Sequence, residues 1–149
     1  MEEKKNVEAL LKEGCTVQFH PTGYSMYPLL VPERDYAIVS PAERRIRRLD
    51  VVVYRSSKNN GRLVIHRVCR AGRAGLYLVG DNEAVTEGPV DRDCVFGVME
   101  AFIRNGKKHN TSNIIYRFLS GVWMLLRPLR PVLSKTAHAF RVIFNKRKT

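Results

Sequence analysis

Apolar residues recur through most of this chain at the two-residue spacing of half-buried strands, and helical spacing shows only towards its ends. Near the start, Val7, Leu10 and Leu11 fall at i, i+3 and i+4 in a Glu- and Lys-rich stretch closed by Gly14. That pattern predicts a short amphipathic helix with a glycine C-cap, packed on the edge of the β region that begins at Cys15. Residues 15–21 alternate Cys15, Val17 and Phe19 against Thr16, Gln18 and His20, a strand with His20 on its solvent side that leads into Gly23-Tyr24-Ser25-Met26-Tyr27-Pro28. After Leu29-Leu30-Val31 and a turn at residues 32–35, Tyr36-Ala37-Ile38-Val39 reads as a buried strand. Asp50 opens Val51-Val52-Val53-Tyr54, a β-branched run expected of a central strand, and a loop at residues 56–61 returns the chain as Leu63-Val64-Ile65-His66-Arg67-Val68. Residues 75–79 form a further strand ending at Gly80-Asp81-Asn82. The last lies within residues 90–103, where Gly97 marks a bulge or a close backbone approach.

Strand signals every ~8 to 12 residues, divided by Gly, Pro and Asn turns, predict a mainly β domain of Greek-key or barrel-like type over residues 15–108. The helix of residues 1–14 precedes it. A composition break at Gly106-Lys107-Lys108 starts a tail, residues 109–149. Here Ile114, Ile115, Phe118, Leu119, Val122, Trp123, Leu125 and Leu126 form a broad apolar helical face beside Arg117 and Arg127. Pro128 and Pro131 interrupt it before a second stretch, residues 132–144. This is the pattern of two basic amphipathic helices lying at a membrane interface, with Trp123 at headgroup level. A helical hairpin packed on the β domain or on a partner is the alternative; few polar base-reading residues are interleaved, which disfavours nucleic acid.

Charge sharpens the picture of the tail more than that of the domain. The chain has 26 Lys and Arg against 14 Asp and Glu, a net +12; eight of the basic residues and none of the acidic ones lie from Thr111 onward. An anionic membrane surface is the partner this implies, whereas four arginines within residues 44–48 read as a solvated basic loop. Cys15, Cys69 and Cys94, odd in number and at no metal-ligand spacing, read as reduced, mostly buried small residues, and neither a metal nor a cofactor is implied. The charged start Met1-Glu2-Glu3-Lys4-Lys5 does not read as a secretory signal, and no window reaches the ~18 uncharged apolar residues of a spanning helix. A peripheral membrane position on the cytoplasmic face is therefore expected.

A serine hydroxyl needs a base within hydrogen-bond reach, and histidine, with a reference pKa of about 6.5, supplies one. Of four histidines, His66 alone follows an apolar strand run inside the β domain; His20 is on a polar strand phase, and His109 and His138 are in the tail. A strand histidine is often a satisfied core residue, but His66 falls between Ser25 and Gly80-Asp81-Asn82, which favours catalysis.

Gly23-x-Ser25-Met26-x-Pro28, Asp50 to Arg55, His66-Arg67-Val68, Gly80-Asp81-Asn82 and Val95-Phe96-Gly97-Val98, in that order, resemble the signal peptidase I superfamily over residues 14–105. The Ser-Met pair and its Pro are similar to the nucleophile segment, and LexA-like relatives share the β fold. The His-Arg-Val block resembles the endoplasmic-reticulum, archaeal and sporulation-type branch, in which histidine replaces lysine as base. The resemblance implies a serine endopeptidase cleaving leader or signal peptides. Ser25 would be the nucleophile and, through its backbone N–H, an oxyanion donor. His66 would be the general base and Asp81 or Glu87 the assisting acid, with Asp81 preferred as the group that orients His66. Three positions depart from the pattern. No hydroxyl stands two residues before Ser25, although Thr22 could take that part; the family's further acidic position corresponds to Glu87; and Leu49 stands where a glycine usually precedes Asp50. The anchor helix before the nucleophile is also missing, which leaves membrane docking to the tail. A reading from a different class, a catalytically silent regulatory or binding module on a LexA-like β fold, stays open.

Overall fold

Helical spacing at the two ends and strand spacing between them produce the order α1 (Glu2–Lys12), β1 (Val17–Phe19), β2 (Asp35–Pro41), β3 (Val51–Ser56), β4 (Arg62–Gly72), β5 (Gly75–Val79), β6 (Glu87–Val90), β7 (Val95–Arg104), β8 (Lys107–Asn110) and α2 (Ile114–Leu125). The computed structural model describes residues 2–129. The mainly β class expected from the sequence is the class that forms. All eight strands join one antiparallel sheet in the order β1-β2-β7-β3-β4-β5-β6, with β8 also paired to β7.

β3 is the strand around which the two cores divide. Its β-branched side chains are buried on both faces, and their parity decides where each goes. Val51 and Val53 join Leu11, Met26, Leu30, Ile65 and Phe102 in one core, whereas Val52 and Tyr54 join Ile46, Val68, Leu78 and Val98 in the other. α1 closes the first core through Leu11, with Val7 and Leu10 packed beside it. Both signals read at Gly97 are present: Val53 pairs with Gly97 but Tyr54 with Val95, which leaves Phe96 bulged, and a Cβ on Gly97 would lie 2.5 Å from Val39 Cγ1.

Several expectations are corrected. β1 is shorter than residues 15–21, so Cys15 precedes the strand and is exposed, while Cys69 and Cys94 are half-buried rather than buried. Tyr36 is exposed, so β2 is buried on one face only. A strand not read from the sequence, β6, precedes the one expected within residues 90–103, which forms as β7. β8 then carries the domain past residue 108: Lys107-Lys108-His109-Asn110 has no apolar alternation and is recruited by backbone pairing with residues 101–104. In the basic loop, Arg44 is fastened to Asp50 at 2.8 Å and Ile46 is buried. Residues 130–149, which hold the second predicted helical stretch and His138, lie outside the described residues.

α2 is oriented opposite to its hydrophobic pattern. Asn113 caps its start, accepting from the Ile115 N–H. Ser120 and Met124 are buried and Tyr116, Arg117 and Trp123 half-buried, while Phe118, Leu119 and Leu125 remain 68%, 59% and 73% exposed. The inner face is fastened by long amphipathic side chains. Arg117 bonds the Arg48 carbonyl at 3.2 Å, and Trp123, expected at headgroup level, turns inward and donates its Nε1–H to the Asp81 carbonyl at 3.1 Å.

Candidate active site

The Ser25 segment is a tight turn hung from the first core. Gly23 supplies the left-handed φ of 80° that begins it, the Tyr27 and Leu30 N–H groups close onto the Tyr24 and Met26 carbonyls, and Met26 and Leu30 are buried. Ser25 is left half-buried between exposed Tyr24 and buried Met26, and Thr22 is exposed. Among the described residues, neither the Ser25 hydroxyl nor its N–H has a hydrogen-bonding partner. Both are available to a substrate carbonyl. Ser25 stands on the rim of a groove of about 650 Å³ with apolar walls from Val7, Leu10, Val17, Phe19, Val53 and Ile65.

The β3–β4 pairing sets Val52 opposite His66 and Tyr54 opposite Val64, so Val52, Tyr54 and His66 share one face. His66 is buried, and its Nδ1 lies 3.1 Å from Tyr54 Oη, which donates to Glu87 Oε2 at 2.7 Å. A phenol has one proton. Because Tyr54 gives it to Glu87, the His66 Nδ1–H must be the donor to Tyr54, and Nε2 keeps its lone pair. Burial holds the His66 pKa below its ordinary value, against the opposing pull of Glu83, Glu87 and Asp81. Glu87 is fixed in turn by the Ser56 hydroxyl at 2.7 Å, the Ser57 N–H at 2.9 Å and the Lys58 N–H at 3.3 Å. Burial alone would raise its pKa, but these donors together with Tyr54 hold it below the usual carboxylate range.

Asp81 faces a different partner. Arg67, one residue beyond His66, projects to the opposite face of β4 and binds Asp81 through Nε–Oδ1 and Nη2–Oδ2, each at 2.8 Å. The same guanidinium donates to the Leu49 carbonyl at 3.0 Å, and Leu49, with φ 75°, adopts the conformation that a glycine takes more easily. The preference for Asp81 as the acid that orients His66 is thereby corrected: Tyr54 is bonded to the ring and Glu87 backs it. Sequence pattern does not single out Tyr54 or Glu83. The available signal for Tyr54 is the hairpin itself, since counting equally outward from the loop at 57–61 pairs Tyr54 with Val64 and places it diagonally across from His66.

The Gly80-Asp81-Asn82 turn links the two halves of the site. The Asn82 N–H donates to the Ser25 carbonyl at 2.8 Å. β4 pairs Arg67 with Val79, so extending that register by one residue places Gly80 opposite His66. A Cβ at Gly80 would lie 2.6 Å from the Ser25 carbonyl oxygen and 2.9 Å from Glu83 Cγ and Cδ. Glu83 Oε2 is itself 3.7 Å from His66 Nε2. The Ser25 carbonyl and the Glu83 side chain therefore crowd a position that only glycine fits. Ser25 Oγ and His66 are not hydrogen-bonded to each other. His66 opens instead on a cavity of about 360 Å³ shared with Lys58, Asn59, Glu83 and Glu87. Among the described residues no cluster of His, Cys, Asp and Glu is arranged to hold a metal.

Comparisons of the chain with protein-family models, curated proteins and solved structures give no match, so the reading of this site rests on its own geometry.

Proposed function

We propose that the chain is a serine endopeptidase of the signal peptidase I type, cleaving leader or signal peptides at a membrane surface. The observation that best supports this is the hydrogen-bond order Glu87, Tyr54, His66, which leaves Nε2 as the basic nitrogen of a buried, neutral imidazole. In the proposed reaction the Ser25 hydroxyl gives its proton to Nε2 as Oγ bonds the scissile carbonyl carbon. The Ser25 N–H donates to the resulting oxyanion. The imidazolium, facing Glu83 and backed through Tyr54 by Glu87, then protonates the leaving amine. Water, giving a proton to His66, attacks the acyl-serine carbonyl carbon, and His66 returns that proton to Ser25 Oγ as the ester C–O bond breaks and the acid is released. The groove beside Ser25 would take the apolar part of an extended peptide. Ser25 Oγ and His66 are not hydrogen-bonded and line different cavities, so the proposed reaction requires them to approach when substrate binds.

Among the described residues no helix is long and apolar enough to cross a membrane. The proposed attachment is peripheral, through α2 and the basic residues beyond it. Ser25→Ala and His66→Ala each abolish cleavage of a leader peptide while leaving the circular-dichroism spectrum and a cooperative melting transition, which loss of the buried ring lowers in His66→Ala; cleavage at the wild-type rate by either variant overturns the proposal. The separation of Ser25 from His66 favours the second reading, a silent binding or regulatory module. Acylation of Ser25 by a serine-directed probe removes that reading.

A further inference from the structure

The faces of α2 are inverted with respect to polarity. The side in water carries Ile114, Ile115, Phe118, Leu119, Val122 and Leu125, the first of them 82% exposed. The side against the protein carries Tyr116, Arg117, Ser120, Trp123 and Met124, with Arg127 just past the helix end. A soluble helix places its apolar stripe on the core, so this arrangement requires a second apolar phase outside the described residues. Charge identifies that phase. From Thr111 onward the sequence has eight basic residues and no acidic one, which matches an anionic lipid surface and opposes stacking against a second copy of a chain of net charge +12. Twelve residues of helix are about 18 Å long, too short to cross a bilayer and suited to lying in its plane.

The inner face grips the loop that borders the candidate site. Trp123 Nε1 donates to the Asp81 carbonyl at 3.1 Å, and Arg127 Nη2 donates to the Ala84 carbonyl at 2.5 Å and to Thr86 Oγ1 at 2.6 Å. That loop carries Glu83, 3.7 Å from His66 Nε2, and leads into Glu87, the acid behind Tyr54. We infer that α2 is a lipid-dependent latch: its outer face docks in the plane of an anionic bilayer, and its inner face thereby holds residues 81–86 in place beside His66. An isolated helix of this length is marginal in water. Burial of the outer face in lipid stabilises the helix, and the helix holds the loop. The regulatory part rests on the peptidase reading; the docking part does not.

The test uses the full chain with vesicles of phosphatidylcholine, with and without phosphatidylglycerol, and compares it with Phe118→Ser/Leu125→Ser and with Arg127→Gln. Wild type is expected to float with the anionic vesicles only, and its amide exchange at residues 81–86 to slow about tenfold when accessible lipid is about ten times its dissociation constant. The double variant keeps its fold, since both side chains are exposed, and loses flotation and protection together. Arg127→Gln floats but gains no protection in the loop. Trp123, the only tryptophan, faces inward, so lipids brominated on their acyl chains quench it weakly. Strong quenching, equal flotation of wild type and double variant, or unchanged exchange in the loop overturns the inference, as does a lipid-free dimer that the double variant abolishes. None of these readouts depends on cleavage. Where cleavage is measurable, anionic vesicles raise it in wild type about as much as they slow exchange, and fail to do so in the double variant.

Discussion

His66 and Arg67 are consecutive residues of β4, are 5% and 1% exposed, and face opposite sides of the strand. Arg67 meets a carboxylate directly, and its two bonds to Asp81 hold a full charge pair out of water. His66 is hydrogen-bonded towards a carboxylate only through the Tyr54 phenol, while the partly exposed Glu83 stands 3.7 Å from Nε2, beyond hydrogen-bond reach. The difference decides protonation. A carboxylate in direct contact stabilises the cation and raises the pKa of its partner, as it does for Arg67 against burial. At His66 the phenol keeps Glu87 from direct contact and Glu83 is partly exposed to water, so burial outweighs their pull and the imidazole is held below its ordinary pKa. One strand thus holds a permanent ion pair on one face and a neutral, proton-accepting ring on the other.

The largest expected effect comes from breaking the ion pair. Arg67→Met strands Asp81 in the interior and lowers unfolding free energy in urea by about 3–5 kcal/mol; a loss under about 1 kcal/mol would show that Arg67 and Asp81 carry no structural weight. Glu87→Gln is the next in size, about 1–3 kcal/mol, because buried donors from Ser56, Ser57, Lys58 and Tyr54 lose their anion. Its pH signature comes from the sign of the shift. The folded pKa of Glu87 is depressed, so its stabilisation is present above the unfolded value of about 4.3 and is lost as pH falls through the folded value. The variant therefore flattens that part of the acid unfolding curve.

Tyr54→Phe removes one hydroxyl from between the two groups. The expected cost is about 1 kcal/mol in stability and, from a similar loss in the transition state, about fivefold in kcat with KM unchanged. Nitrogen-15 spectra of the His66 ring supply the readout specific to positioning. Wild type shows a single tautomer protonated at Nδ1, and the variant shows a mixture; an unchanged spectrum would remove Tyr54 from the site. The smallest effect is on pH dependence. Wild-type cleavage declines with acid at a midpoint below about 6.5, since the base must be neutral and its pKa is depressed. Glu83→Gln removes the strongest opposing charge and lowers that midpoint further, by less than about one pH unit. A midpoint that rises on this substitution contradicts the assignment of Nε2 as the base.

The parts of the fold that are legible in the sequence are those where burial leaves a one-dimensional trace. The run Val51-Val52-Val53-Tyr54, the return strand bearing His66 and Gly97 all fall where their patterns place them. β8 leaves no trace because an exposed edge strand made of Lys107-Lys108-His109-Asn110 is held by backbone pairing and the stacking of His109 on Phe102, neither of which needs apolar alternation. The face of α2 escapes a sequence reading for a related reason. Hydrophobicity marks which side seeks an apolar phase, and it is silent on whether that phase is the protein's own core. In the site, Ser25 and His66 can be picked out by chemistry, but choosing between Asp81 and Glu87 needs strand parity. Asp81 stands closer in the chain to the end of β5, and Arg67, adjacent to His66, claims it from the other face. Tyr54 counts as one more apolar residue in a central strand until its hydroxyl is placed between two titratable groups.

The placement of β8 and α2 also bears on how the molecule can be divided. A cut after residue 108 severs β8 midway and releases both Trp123 and Arg127, which are tied to residues 81–86. The smallest piece that keeps the site whole therefore runs from α1, which closes the first core through Leu11, as far as Arg127. In modular terms, the segment that reads as a detachable membrane appendage is a brace behind the loop that walls the His66 cavity.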